Sequence, residues 1–170
     1  MKAIINDVVC SFIDLQSDNN GTLTPTLNLT KKKILPYIDL EYSTQMALSD
    51  YWNQLDLREK KIFERDIKNS LIDEYVVILS NLTNWEDITI SVNEAYSQNE
   101  NIARVKVSVS LQNQKSSATV TLKLIHKNRW KIYDLEYQSI SIIDIEKMGY
   151  NSKIKRQGIE KLIQKMLQRS

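Results

Sequence analysis

The sequence predicts an α+β fold, a twisted antiparallel sheet of about four strands wrapped by helices, and three features predict it. First, Phe63, Ile67, Leu71, Tyr75 and Leu79 recur at i, i+4 spacing, the mark of one long helix. Second, from Asp87 the apolar period drops from helical to two, as strands require. Third, helical spacing returns near the end of the chain. The 170 residues, 42% hydrophobic and 26% charged, suit a single domain over 1–170. Such a chain buries a core without disulfides or metals.

Taken in order, Ile4, Ile5, Val8, Val9, Phe12 and Ile13 open the chain as an amphipathic helix. A polar stretch from Ser17 to Thr30 follows, with Gly21 and Pro25 as breakers. Lys31 to Leu35 reads as a short helical turn that Pro36 stops. Asp56 is a candidate N-cap, and Glu59 three residues on completes a capping-box pattern, so the long helix spans 57–80. Ile88, Ile90 and Val92 begin the alternating pattern; Val105, Val107, Val109 and Leu111 continue it, as do Val120, Leu122 and Leu124. Gln112 to Ser117 reads as a hairpin turn between long strands. The fourth strand, Arg129 to Gln138, carries bulk on both faces, so something apolar must cover both. Ile154, Ile159, Leu162, Ile163, Met166 and Leu167 form the closing stripe, with Gly158 on or near it.

Several function classes are poorly served by this composition. One histidine, His126, and one cysteine, Cys10, leave conventional triads and dyads without parts, and no internal disulfide or cysteine-built zinc cage is possible. Three glycines, Gly21, Gly149 and Gly158, cannot make a clustered phosphate loop. No run approaches the roughly 18–20 apolar residues that cross a bilayer, and Asp7 and Asp14 interrupt any leader-like run at the start. Taken literally this start points to the cytosol, unless a leader has been removed. Asp39, Asp134 and Glu136, beside Tyr37 or Tyr133, are the candidate acid/base set of an isomerase or dehydratase; the competing reading is structural. The net charge is +2, but seven basic residues against Glu160 from Lys147 onward make the tail about +6. A basic amphipathic end suits anionic headgroups or an acidic partner, and equally a solvated helix face. With one aromatic among them, these cations do not suggest nucleic acid.

Two blocks of sequence resemble the MlaC, or toluene-tolerance, family, the soluble periplasmic component of the Mla phospholipid-transport system. The first runs Leu35-Pro36-Tyr37-Ile38-Asp39, then Leu48-Ser49-Asp50-Tyr51-Trp52, then Phe63, Ile67, Leu71 and Tyr75. It is similar to the family's Pro-x-(aromatic)-Asp, Leu-Gly-x-Tyr-Trp and Phe-x3-Phe-x3-Leu-x3-Tyr series, without gaps. The second runs from Trp130-Lys131-Ile132-Tyr133-Asp134 to Ser141-Ile142-Ile143 and resembles the family's Trp-Lys-(Val/Ile)-x-Asp to Ser-Leu-Val run. Ser49 and Ser139 stand where the family usually has glycine, so both turns must be made with a Cβ present. In the run that follows, only Lys147 and Tyr150 keep the family's chemical type.

The resemblance implies a cone-shaped, NTF2-like domain whose apolar cavity holds phospholipid acyl chains and leaves the headgroup outside. The residue pattern permits this, with Leu48, Trp52, Phe63, Ile67, Leu71 and Tyr75 as a helical roof over a sheet floor of Val107, Val109, Val120, Leu122 and Leu124, joined by Ile132. The implied function is a non-enzymatic carrier in the periplasm, expected to be a monomer, with phospholipid as cargo and neither cofactor nor metal. The implied partners are an inner-membrane Mla-type ABC transporter complex and an outer-membrane lipoprotein–porin complex. Lys147, Lys153 and Arg156 are the candidate residues for docking partners or headgroups. The alternatives are the acid/base enzyme above and an interaction module whose apolar groove takes a partner helix.

Overall fold

The computed structural model describes residues 31–32, 35–80, 88–97, 99–111 and 117–168. The expected opening helix with Cys10, the polar stretch to Thr30 and the centre of the Gln112–Ser117 turn lie outside the described residues.

A 3₁₀ turn over Leu35–Tyr37 leads into helix α1, Leu40–Leu48. Pro36 sits inside this turn instead of ending one before it. A first helical turn needs no N–H from the proline, and its fixed φ suits the start. Asp39 caps α1 by accepting from the Tyr42 N–H at 3.0 Å. After a second 3₁₀ helix over Ser49–Gln54 comes α2, Leu57–Ser80, with the bounds its sequence predicted. Its capping box is present: the Glu59 N–H donates to Asp56 Oδ1 at 2.8 Å, and the Asp56 N–H to Glu59 Oε2 at 2.9 Å.

The strands β1 Ile88–Ser97, β2 Ile102–Leu111, β3 Ser117–His126, β4 Trp130–Tyr137 and β5 Ile140–Ser141 pair in chain order, all antiparallel. The expected count of about four becomes five among the described residues. The extra strand is two residues long, too short to leave a periodic trace. It exists because Gln138 (φ 50°) and Ser139 (φ 64°) turn β4 back on itself, with Tyr137 opposite Ile140. Two positive φ angles in a two-residue loop give the turn whose twist matches its strands.

Cross-strand register gathers the apolar set on one face. Val105, Leu122 and Leu135 lie side by side across β2, β3 and β4, as do Ala103, Leu124 and Ile132. The register shifts at Lys123/Leu124, where Tyr133 on β4 has no partner. That bulge accounts for part of the bulk on both sides of β4, since the Tyr133 ring meets Tyr42 edge-on at 5.0 Å.

The closing stripe is two helices, α3 Ile142–Gln157 and α4 Ile159–Gln168. The break is at Gly158, whose φ of 82° and N–H bond to the Ile154 carbonyl (2.8 Å) end α3. The turn sends α4 against α2 and α3. Leu167, expected on the buried stripe, is 44% exposed, because the change of axis at Gly158 carries it outward. The core lies between the apolar sheet face and the helices.

Candidate lipid-carrying site

The structure gathers the expected roof and floor into one apolar cluster. Leu48, Trp52, Phe63, Ile67 and Leu71 from the helical layer meet Val107, Leu122, Leu124 and Ile132 from the sheet. Val120 is half-buried and packs against them. The Tyr75 and Val109 side chains lie outside those described. Leu48, Phe63, Ile67 and Leu124 are wholly enclosed, whereas Trp52, Val107 and Leu122 keep 7–9% exposure. The set is therefore graded: a sealed centre with slightly open members around it.

Tyr150 belongs to this centre and was not foreseen there. It is fully buried, meets Phe63 edge-on at 5.4 Å and donates its hydroxyl to Asp66 at 2.9 Å. Burial, with the nearby Asp66 and Glu146 carboxylates, pushes its phenol far above the ordinary range. Its place about two turns along the buried side of α3, in step with Ile143 and Ile154, was the available signal.

The candidate acid/base residues are engaged structurally. Asp134 is buried, pairs with Lys123 at 2.7 Å, accepts the Ser141 hydroxyl at 2.6 Å and accepts the Ile143 N–H at 3.2 Å. Ser141 in turn caps α3 by accepting from the Asp144 N–H at 3.0 Å. Glu136 lies 3.4 Å from the same lysine. Burial acts to lower the Lys123 value, but the bonds and charges of Asp134 and Glu136 outweigh it and hold it above 10.5. Asp39 caps α1 and pairs with Lys127 at 3.1 Å, while Glu41 lies 3.4 Å from that lysine. These residues edge a polar groove of about 500 Å³ that also takes in Lys61, Glu64, Arg129 and Lys131. The carboxylates do not converge: Asp39 and Asp134 hold different lysines.

Ser49 (φ 51°, ψ −118°) and Ser139 (φ 64°) both adopt backbone conformations that favour glycine. Of the three candidate docking residues, Lys153 and Arg156 are exposed and share a pocket between α2, α3 and α4, while Lys147 is half-buried and outside it. No helix among the described residues is long and apolar enough to cross a membrane.

A meandering sheet with one apolar face closed by helices defines an α+β domain with its hydrophobic core between the two layers. The model of the MlaC protein family matches residues 3–168, and the chain belongs to that family. The Haemophilus influenzae intermembrane phospholipid transport system binding protein MlaC is 23% identical over 168 residues, covering 97% of this chain and 76% of the relative. A phospholipid-binding protein of Ralstonia solanacearum, solved in complex with a phospholipid, shares the fold with a TM-score of 0.75 at 24% identity, over 99% of this chain and 93% of that one.

Proposed function

We propose that this protein is a non-enzymatic phospholipid carrier of the bacterial periplasm, working as a monomer between an inner-membrane Mla-type ABC transporter complex and an outer-membrane lipoprotein–porin complex. The observation that carries the proposal is the family match from residue 3 to 168, over a chain whose roof and floor residues meet in one apolar cluster. The named activity of the Haemophilus relative and the bound lipid of the Ralstonia protein support it. The reading needs no cofactor: the lipid is cargo. Engagement of Asp39 and Asp134 as caps and ion-pair partners supports the absence of acid/base chemistry.

In mechanism, acyl chains reach Leu48, Phe63, Ile67 and Leu124 only if the helical layer moves from the sheet, because protein encloses these residues on every side. Trp52, Val107, Leu122 and Val120 would make the first contacts. Each buried methylene contributes about 0.8 kcal/mol, so two chains gain on the order of 20 kcal/mol before costs. Binding of that strength exchanges slowly with water, and release requires a partner that offers the tails a continuous apolar path.

Native mass spectrometry of the purified protein tests the reading. A phospholipid mass on the folded chain is expected, together with its loss in a Val107→Glu variant that still folds. A protein that carries no lipid, and takes none from labelled vesicles, overturns it.

A further inference from the structure

Among the described residues, no carboxylate forms an ion pair with the cations of the C-terminal helices. A pocket of about 140 Å³ lies between Asp66 of α2, Lys153, Arg156 and Gln157 of α3, and Leu162 and Lys165 of α4. Among the described residues, none of its three cations forms an ion pair. Lys153 stands over the Tyr150 ring at 5.6 Å, and Lys165 donates to Gln157 Oε1 at 2.6 Å. Asp66, the one acid on the wall, is already bonded to the Tyr150 hydroxyl. The polar groove beside Asp39 differs, since there Lys127 holds Asp39 and Glu41, and Lys61 holds Glu64.

Basic residues in the last turn of α3 complement its dipole, which explains Lys155 and Arg156. That does not explain Lys165, which comes from α4 to the same pocket. We propose that this pocket seats the phosphate of a phospholipid headgroup at a membrane surface, and so aligns the carrier on the bilayer that holds the complex with which it exchanges cargo. The proposal rests on the carrier reading. A guanidinium fork and two ammonium groups suit an anion with several oxygens better than a carboxylate with two. Lys155 and Lys161 are exposed on the same two helices, and Glu160 is the only acid among residues 147–168, so the surroundings favour an anionic surface.

The test is co-flotation of the full chain with vesicles of mixed phosphatidylglycerol and phosphatidylcholine. It compares the parent, a Lys153→Gln/Arg156→Gln/Lys165→Gln triple variant and a Lys155→Gln/Lys161→Gln double variant. One cation lost at an anionic surface weakens binding roughly fivefold. A built seat predicts that the triple variant loses more than that for each charge removed, and the double variant less. Inorganic phosphate should displace the parent from vesicles. Losses that follow charge alone overturn the seat, as does a parent that does not float. Binding of inorganic phosphate without vesicle binding, or of polyglutamate in preference to vesicles, overturns it too. Native mass spectrometry on the same samples separates the two readings: cargo kept while flotation fails rejects only the seat, and a parent without cargo rejects the carrier.

Discussion

Two lysines, Lys123 in β3 and Lys127 just past its end, each bridge two carboxylates, and their surroundings differ. Lys123 lies 2.7 Å from Asp134 and 3.4 Å from Glu136, with side-chain exposures of 11%, 3% and 25%. Lys127 lies 3.1 Å from Asp39 and 3.4 Å from Glu41, but it is 47% exposed and Glu41 is 63% exposed. The distances are nearly alike, so geometry does not separate the two clusters. Water does. In the Lys123 cluster, removing one partner strands the other without solvent; in the Lys127 cluster, water reaches Lys127 and Glu41 and replaces their contact, and only Asp39, at 8% side-chain exposure, is buried. Asp134 also bonds Ser141 and the Ile143 N–H, so the buried cluster fastens the sheet to the start of α3.

The largest expected effect follows directly. Asp134→Ala should cost about 3–5 kcal/mol, the range for an uncompensated buried charge. Glu41→Ala should change stability by no more than about 0.5 kcal/mol. Urea unfolding of both variants measures the difference, and equal losses would show that burial does not distinguish the two clusters.

Alkaline pH gives a second separation. The folded value of Lys123 is raised above 10.5, so its contribution is complete below that pH and disappears as pH rises through the folded value. Tyr150 acts in the same direction: its phenol is raised above 10.0 by burial, and ionising it in the core is opposed. Lys127 is also raised, its partners outweighing burial, but solvent screening weakens the consequence. Stability should therefore fall above about pH 10. Lys123→Met and Tyr150→Phe should flatten that fall, and Lys127→Met should leave it nearly unchanged, as thermal melts from pH 8 to 11 would read.

The two clusters also mark what was legible in the sequence. The α2 helix and its capping box were readable because their causes lie within four residues of each other. The apolar face of β3 was readable because period two assigns Val120, Leu122 and Leu124 to one side. The same rule assigns Lys123 to the other side and says nothing about its burial. Its partner stands opposite only because β4 returns with a bulge at Tyr133, a register that depends on long-range packing. The end of α3 was hidden for a related reason: the stripe from Ile154 to Leu167 continues across Gly158, and only the backbone there shows the turn. At Ser49 and Ser139 a strained backbone was readable from the family's glycines alone.

Those two serines differ in the same way, with smaller energies. Ser139 lies in the turn that brings Ser141 onto Asp134, so it belongs to the buried cluster, whereas Ser49 joins α1 to the following 3₁₀ helix. A side chain at positive φ costs roughly 1–2 kcal/mol, offset in part by the extra chain entropy that glycine loses on folding. Ser139→Gly and Ser49→Gly should each stabilise by about 0.5–1 kcal/mol. In an Asp134→Ala background the Ser49→Gly gain should persist, because the sites share no partner. The Ser139→Gly gain should change there, since the turn no longer has a carboxylate on which to place Ser141. A double-mutant cycle in urea measures both couplings. Additivity at both sites would show that the turn and the Lys123 cluster are held independently, and that burial of the ion pair alone makes the difference between the two lysines.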